Sequence, residues 1–198
     1  MNTPLQPVMF LDRDGTLTKS PDLTWQESQL ELADGIAEEI AVCNNAHIPV
    51  IVITNQPVVA RGWITEDGVK ALHETINERL KAAGAHIDAF YFCPHHPEAT
   101  LPEYRMQCDC RKPEIGLFKK AAESIPIDFK NSFMIGDMTQ DILAGKNAGC
   151  RTILVKAGHG GNDGKYAVTA DYTVPTATEA VRMAQTIITK SPSNTTSV

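Results

Sequence analysis

Two carboxylates one residue apart, Asp12 and Asp14, stand directly after the apolar run of residues 8–11 in the string VMFLDRDGTLT. A run of that length and composition reads as a buried strand, so both acids sit at a strand tip. Gly15 lets the backbone turn sharply, and main-chain N–H groups could then converge on an anion. A phosphate and a divalent cation would both fit such a place. Most Asp-x-Asp-Gly strings only close a strand and open a turn. Here three further pieces with matching chemistry follow at predicted strand ends, which favours the catalytic reading.

The first is Thr54-Asn55-Gln56 after the run 50–53, a hydroxyl and two amides that bond phosphate oxygens without adding charge. The second is Arg111-Lys112-Pro113, just before a helix expected over residues 115–124. Arg can grip a phosphate with two parallel bonds, and Lys acts as a compact charge beside the transferring group. The third is Gly136-Asp137 after the run 133–135, with Asp141 a turn further on, either supporting the site or starting a helix. A separate cluster, Cys93-Pro94-His95 and Cys108-Asp109-Cys110, offers three thiolates and an imidazole, the closed tetrahedral set of structural zinc. His96 rivals His95, and the sequence does not choose between them.

The elements that must position these groups alternate in type. Apolar runs at 8–11, 50–53, 89–92, 133–135 and 152–155 alternate with helical recurrences: Ile36, Ile40 and Cys43; Val69, Leu72, Ile76 and Leu80; Val181, Ala184 and Ile188. Thr65 and Thr176 supply helix starts. Such alternation implies βαβ units, a parallel sheet covered on both faces, and ligands at the carboxyl ends of the strands. The stretch 94–113 lacks periodicity, and a loop that long is either disordered or held by something. The three glycines around His159 read as a flexible loop. Cys43 and Cys150 read as buried thiols, and His47, His73 and His86 as solvated or packed.

The 198 residues suffice for one domain with a substantial core. A net charge of -6 argues against a general nucleic-acid or membrane-surface binder. No apolar run reaches bilayer length and the N-terminal residues do not read as a signal peptide, so a cytoplasmic protein is expected. Five cysteines, three of them clustered, suit a reducing compartment and a metal site better than a disulfide framework.

DRDGT resembles the first motif, DxDGT, of the haloacid dehalogenase superfamily of phosphohydrolases. TNQPVVARG resembles the second motif and GDMTQD the last, in its GDxxxD form. CPHHP followed by CDCRKP is similar to strings carried within that superfamily by the heptose bisphosphate phosphatases and the related histidinol phosphatases. The resemblance runs from residue 8 to about residue 180. It implies that Asp12 is the nucleophile and Asp14 the general acid and base. It also implies that Thr54 and Lys112 steady the transferring group, while Asn55, Gln56 and Arg111 bind substrate. Asp12, the backbone carbonyl of Asp14, and Asp137 would hold Mg²⁺. Cys93, His95, Cys108 and Cys110 would hold Zn²⁺, which orders Arg111 and Lys112 and takes no part in bond breaking.

The implied fold is α/β, a doubly wound parallel β-sheet of Rossmann-like haloacid dehalogenase type, with no large cap domain and a zinc-bound loop. Residues 1–190 would form a single phosphatase domain with the zinc-binding loop at 93–110, and residues 191–198 a disordered tail. The implied reaction is Mg²⁺-dependent hydrolysis of the C7 phosphate of a heptose bisphosphate through an aspartyl phosphate. Histidinol phosphate or another sugar phosphate is the alternative substrate, and a polynucleotide end a further one. A zinc-organised binding module without catalysis is a third reading, against which the presence of both Asp12 and Asp14 speaks. The expected partner is a small-molecule sugar phosphate, with neither nucleic acid nor membrane, acting on a monomer. Pro57-Val58-Val59 replaces the commoner Ser-Gly-Ile, and Met138 stands where Lys often follows the metal-binding Asp. These departures leave the sugar and its anomer open.

Overall fold

The computed structural model describes residues 4–190. Six strands, β1 (Met9–Leu11), β2 (Val50–Asn55), β3 (Ala89–Cys93), β4 (Phe133–Gly136), β5 (Arg151–Val155) and β6 (Tyr172–Val174), form one sheet in the order β3-β2-β1-β4-β5-β6. Every pairing is parallel. β1 lies at the centre, with Met9 in register with Val50 on one side and Phe133 on the other. The chain moves outward from β1 through β2 to β3, then returns to β4 on the opposite side. Beside β1 the order reverses, and the carboxyl ends of β1, β2 and β4 open onto one crevice.

Side chains alternate across the sheet. Met9 and Leu11 pack with Val50, Val52, Ile36, Ile40, Ile76 and Val181, so α1 (Ile36–Asn45), α3 (Glu66–Lys81) and α6 (Ala177–Lys190) cover one face. Val8 and Phe10 pack with Ile51, Ile53, Phe118 and Ala144, beneath α4 (Gly116–Ser124) and α5 (Thr139–Ala148) on the other. A short α2 (Pro57–Ala60) follows β2 directly. A strand buried on both faces reads as a continuous apolar run, which is why β1, β2 and β4 are visible in the sequence. Thr65 caps α3 by accepting the Gly68 N–H at 3.1 Å.

β6 is not among the expected runs. Two of its three residues are exposed, so it forms no apolar run. α5 also lacks a clear stripe, because its buried side begins with Thr139, Gln140 and Asp141 rather than with large apolar groups. The tail expected over residues 191–198 lies outside the described residues. Among the described residues no helix is long and apolar enough to cross a membrane.

Candidate active site and metal centres

Asp12 leaves β1 with its N–H bonded to the Ile135 carbonyl at 2.9 Å, which fixes it against β4. Its carboxylate accepts from Lys112 Nζ at 2.7 Å. Lys112 is buried, and its ammonium also donates to the Ile53 carbonyl at 2.8 Å. Asp141 Oδ1 lies 2.8 Å from the same ammonium, within ion-pair distance though off the direction of a hydrogen bond. Burial alone pulls the Lys112 amine down, yet Asp12 and Asp141 together hold it above its ordinary value.

Asp12, Asp137 and Asp141 bring carboxylate oxygens within 4.8 Å of one another. Asp137 Oδ2 accepts the His159 N–H at 2.7 Å, whereas Oδ1 is buried with no protein partner. A buried, unpaired carboxylate oxygen beside two others is a donor set for a hard, oxygen-seeking cation. Crowding has the electrostatic consequence expected of it. Burial, then the charges of Asp12 and Asp141, pushes Asp137 up to about 8. Burial also raises Asp141 to about 6, against the pull of Lys112. Gly15 and Gly158 close over Asp137 with φ of 76° and 68°, and a Cβ on either would come within 2.4 or 2.3 Å of Asp137 Oδ2. The glycine loop that reads as merely flexible is therefore a lid on this carboxylate. The motif gave no hint of it, because the signal is a backbone N–H.

Asp14 faces a different set of partners. Arg13, fully buried, donates from Nε to Asp14 Oδ1 at 3.1 Å and from Nη2 to Oδ2 at 2.9 Å. Gln56 Nε2 donates to Asp14 Oδ2 and to Thr54 Oγ1, both at 2.9 Å, and Gln56 Oε1 accepts from Arg13 at 2.7 Å. The Asp14 carboxylate is thus absent from the grouped trio, and Asp141 takes the third place there. In the same turn Asp141 accepts the Met138 N–H at 3.0 Å, so it both starts α5 and supports the site.

Two residues expected to bind substrate are engaged within the protein. Asn55 holds the Lys112 backbone at both ends, accepting its N–H at 2.9 Å and donating to its carbonyl at 3.1 Å. Gln56 is buried behind Asp14 and braces it. Thr54, Asn55 and Arg111 line the cavity of about 270 Å³ above Asp12 and Asp14, whereas Gln56 does not. Arg61 of TNQPVVARG, His96 of CPHHP, His159 and Lys165 line it as well, none of them assigned to the substrate from the sequence. Arg13 lies within DRDGT, where only burial reveals its role: a buried guanidinium requires partners.

The loop after β3 is held by the cysteine cluster. Cys93, Cys108 and Cys110 bring their sulfurs within 3.2 to 3.5 Å of one another, and His95 Nδ1 lies 3.4 Å from Cys110 Sγ. Its contact with the Cys93 sulfur brings the Cys110 thiol down to about 5, close to the thiolate form that a metal takes. His96 instead accepts the Glu98 N–H at 3.1 Å and turns to the cavity. Burial, then the charges of Arg111 and Arg61, keeps its imidazole below the ordinary range. Four soft ligands in this arrangement could hold a structural metal such as zinc. Cys110 directly precedes Arg111 and Lys112, so anything gathered at the cluster fixes where those cations point.

Fold and site together define a phosphohydrolase of the haloacid dehalogenase type. A HAD-hydrolase-like family profile matches residues 109–180. The chain is 43% identical over 148 residues to the D-glycero-β-D-manno-heptose-1,7-bisphosphate 7-phosphatase of Rhodopseudomonas palustris, covering 75% of this chain and 82% of that one. It is 38% identical over 155 residues to the enzyme of the same name from Pasteurella multocida, covering 78% and 84%. A crystal structure of the D,D-heptose 1,7-bisphosphate phosphatase of B. bronchiseptica, complexed with magnesium and phosphate, superposes with a TM-score of 0.79 at 25% identity, over 90% of this chain and 97% of that one. The chain belongs to the heptose bisphosphate phosphatase family of haloacid dehalogenase-like hydrolases, and is a phosphoric monoester hydrolase.

Proposed function

We propose that this enzyme removes the C7 phosphate of D-glycero-D-manno-heptose 1,7-bisphosphate by way of a phosphorylated Asp12. The reaction named for its relatives gives the substrate. The observation that carries the mechanism is the buried Lys112 ammonium, 2.7 Å from Asp12, which lines the cavity, and 2.8 Å from Asp141. A phosphate dianion repels a carboxylate nucleophile, so cationic charge must already stand beside Asp12 before the two can meet. Mg²⁺ held by Asp12, Asp137 and the Asp14 carbonyl, with Asp141 behind, would supply further charge neutralisation there.

Asp12 attacks phosphorus while Thr54 and Lys112 steady the transferring oxygens and Arg111 the substrate. Asp14 gives its proton to the leaving sugar oxygen. It then takes a proton from the water that attacks the phosphorylated Asp12, which frees inorganic phosphate and restores both carboxyl groups. Arg13 and Gln56 fix the direction in which Asp14 points. Asn55 fixes Lys112. In this reading residues 1–190 act as one domain whose loop at 93–110 binds zinc. The enzyme works as a cytoplasmic monomer on a small-molecule sugar phosphate, without nucleic acid or membrane, as its net charge of -6 favours.

Steady-state phosphate release from anomerically pure heptose bisphosphate tests this, with histidinol phosphate and a 5′-phosphorylated oligonucleotide as competitors. The expected result is the highest kcat/KM on the heptose, dependence on Mg²⁺, and loss of turnover in Asp12→Asn. Turnover that survives Asp12→Asn would overturn the nucleophile assignment, and a higher kcat/KM on either competitor would overturn the substrate.

A further inference from the structure

The sulfurs of the cysteine cluster differ in access. Cys93, at the end of β3, is fully buried, whereas Cys108 and Cys110 are half-buried. Of the three, Cys108 lines a second open cavity, of about 550 Å³, whose walls also carry Pro97, Arg111 and Tyr166. Cys43 and Cys150 are buried in the two cores, one on each face of the sheet. A thiolate meets an oxidant where it is reachable and where positive charge stands nearby, and a buried thiol is inert. A metal in the cluster would hold all three of its sulfurs as thiolates, so access decides which of them reacts. The cavity gives that access to Cys108, and Arg111 brings positive charge to the same wall.

A second sulfur stands ready to close the reaction. Cys93 Sγ lies 3.5 Å from Cys108 Sγ. Cys110 Sγ is nearer, at 3.2 Å, but one residue separates the two along the chain, and so short a ring strains a disulfide. What the cluster positions is chiefly Arg111, which follows Cys110 directly and donates to the His95 carbonyl at 3.0 Å. Lys112 is clamped independently, since Asn55 bonds both ends of its backbone. Taking Cys93 and Cys108 out of the ligand set leaves Cys110 and His95, too few donors for a closed tetrahedral site. Loss at the cluster therefore frees the guanidinium and spares the ammonium.

We propose that Cys108 is a site of modification by hydrogen peroxide, and that its oxidation to a disulfide with Cys93 expels the metal and releases Arg111, which weakens substrate binding. The Cys108 thiolate attacks one peroxide oxygen and the O–O bond breaks, so that the sulfur becomes a sulfenic acid and hydroxide leaves. The Cys93 thiolate then attacks the Cys108 sulfur and displaces a second hydroxide, giving the disulfide. The two sulfurs lose two electrons in all, the peroxide gains them, and the hydroxides take protons from solvent. The proposal rests on the reading that the cluster binds zinc, and goes beyond the phosphatase activity itself.

Treating the zinc-loaded enzyme with hydrogen peroxide tests it. Non-reducing peptide mapping should find Cys93 joined to Cys108 with Cys43 and Cys150 still free, and a chelating dye should read about one zinc released per linkage. KM for heptose 1,7-bisphosphate should rise roughly 10-fold while kcat stays within about 3-fold, and dithiothreitol with added zinc should restore KM. Absence of the Cys93 to Cys108 linkage, or reaction of Cys43 or Cys150 ahead of it, would overturn the modification site. An unchanged KM in the linked protein would overturn the release of Arg111. If the protein as purified holds no zinc, the zinc reading falls, while the peptide map still decides which cysteines pair.

Discussion

Lowering the pH from 8 to 6 should weaken Mg²⁺ binding steeply, because the metal competes with protons for the same carboxylates. Asp137, buried beside Asp12 and Asp141, is pushed up to about 8, and Asp141 to about 6. At pH 8 about half of the molecules must release a proton from Asp137 before the cation can enter. At pH 6 nearly all must, and Asp141 adds a share of its own. Together these steps weaken the apparent affinity roughly 100-fold over the two units, about 2.7 kcal/mol. Titration calorimetry in buffers of different ionisation enthalpy reads both the affinity and the proton count. About half a proton should be released per Mg²⁺ at pH 8 and more than one at pH 6. A change in affinity below about 3-fold, with no proton release at pH 6, would refute the crowding argument. The same shift governs metal-free stability. A carboxyl whose folded pKa is raised keeps its proton longer in the folded chain than in the unfolded one. The folded state therefore loses stability as pH climbs from 3.8 through about 8, and Mg²⁺ should remove that loss.

Gly158→Ala would set a Cβ 2.3 Å from Asp137 Oδ2 at a φ of 68°, and should weaken Mg²⁺ binding about 10-fold or more; an unchanged Kd would show that the glycine lid does not shape the site. Gln56→Leu leaves Asp14, Thr54 and Arg13 each one hydrogen bond short, so the folded state should lose about 1–3 kcal/mol in a denaturant titration. The same variant should lower kcat by roughly 10- to 100-fold, and a kcat within about 2-fold of the parent would contradict the bracing role of Gln56. Metal analysis should find about one zinc per chain. Cys110→Ser should lower kcat/KM while far-ultraviolet circular dichroism stays near that of the parent, since the cluster holds a loop and not the sheet. Full activity in Cys110→Ser would separate the cluster from Arg111 and Lys112.

Much of this architecture is visible in the chain because it depends on short-range rules. Residues 8–11 and 50–53 are buried on both faces, so their apolar runs are unbroken, and the polar residues that end them mark the catalytic edge. Asp12, Asp137 and Lys112 announce themselves as charges where a strand ends or a helix is about to begin. The less visible parts depend on long-range geometry. Asn55 and Gln56 look alike in the sequence, and only the fold reveals that Asn55 lines the cavity while spanning to Lys112, whereas Gln56 is locked behind Asp14. His95 and His96 are equivalent in sequence, and the path of the loop turns one to the thiols and the other to the cavity. Lys165 and His159 sit in a glycine-rich loop whose place over the site is set by hydrogen bonds to Thr139 and Asp137. No periodicity reports such contacts.

The stereochemical course at phosphorus bears most directly on the claim that Asp12 carries the phosphoryl group between two displacements. With a substrate chirally labelled at the transferred phosphate and turned over in isotopic water, two in-line steps predict net retention of configuration. Net inversion would mean that water attacks the substrate in a single step, and the role given to Asp12 would be wrong.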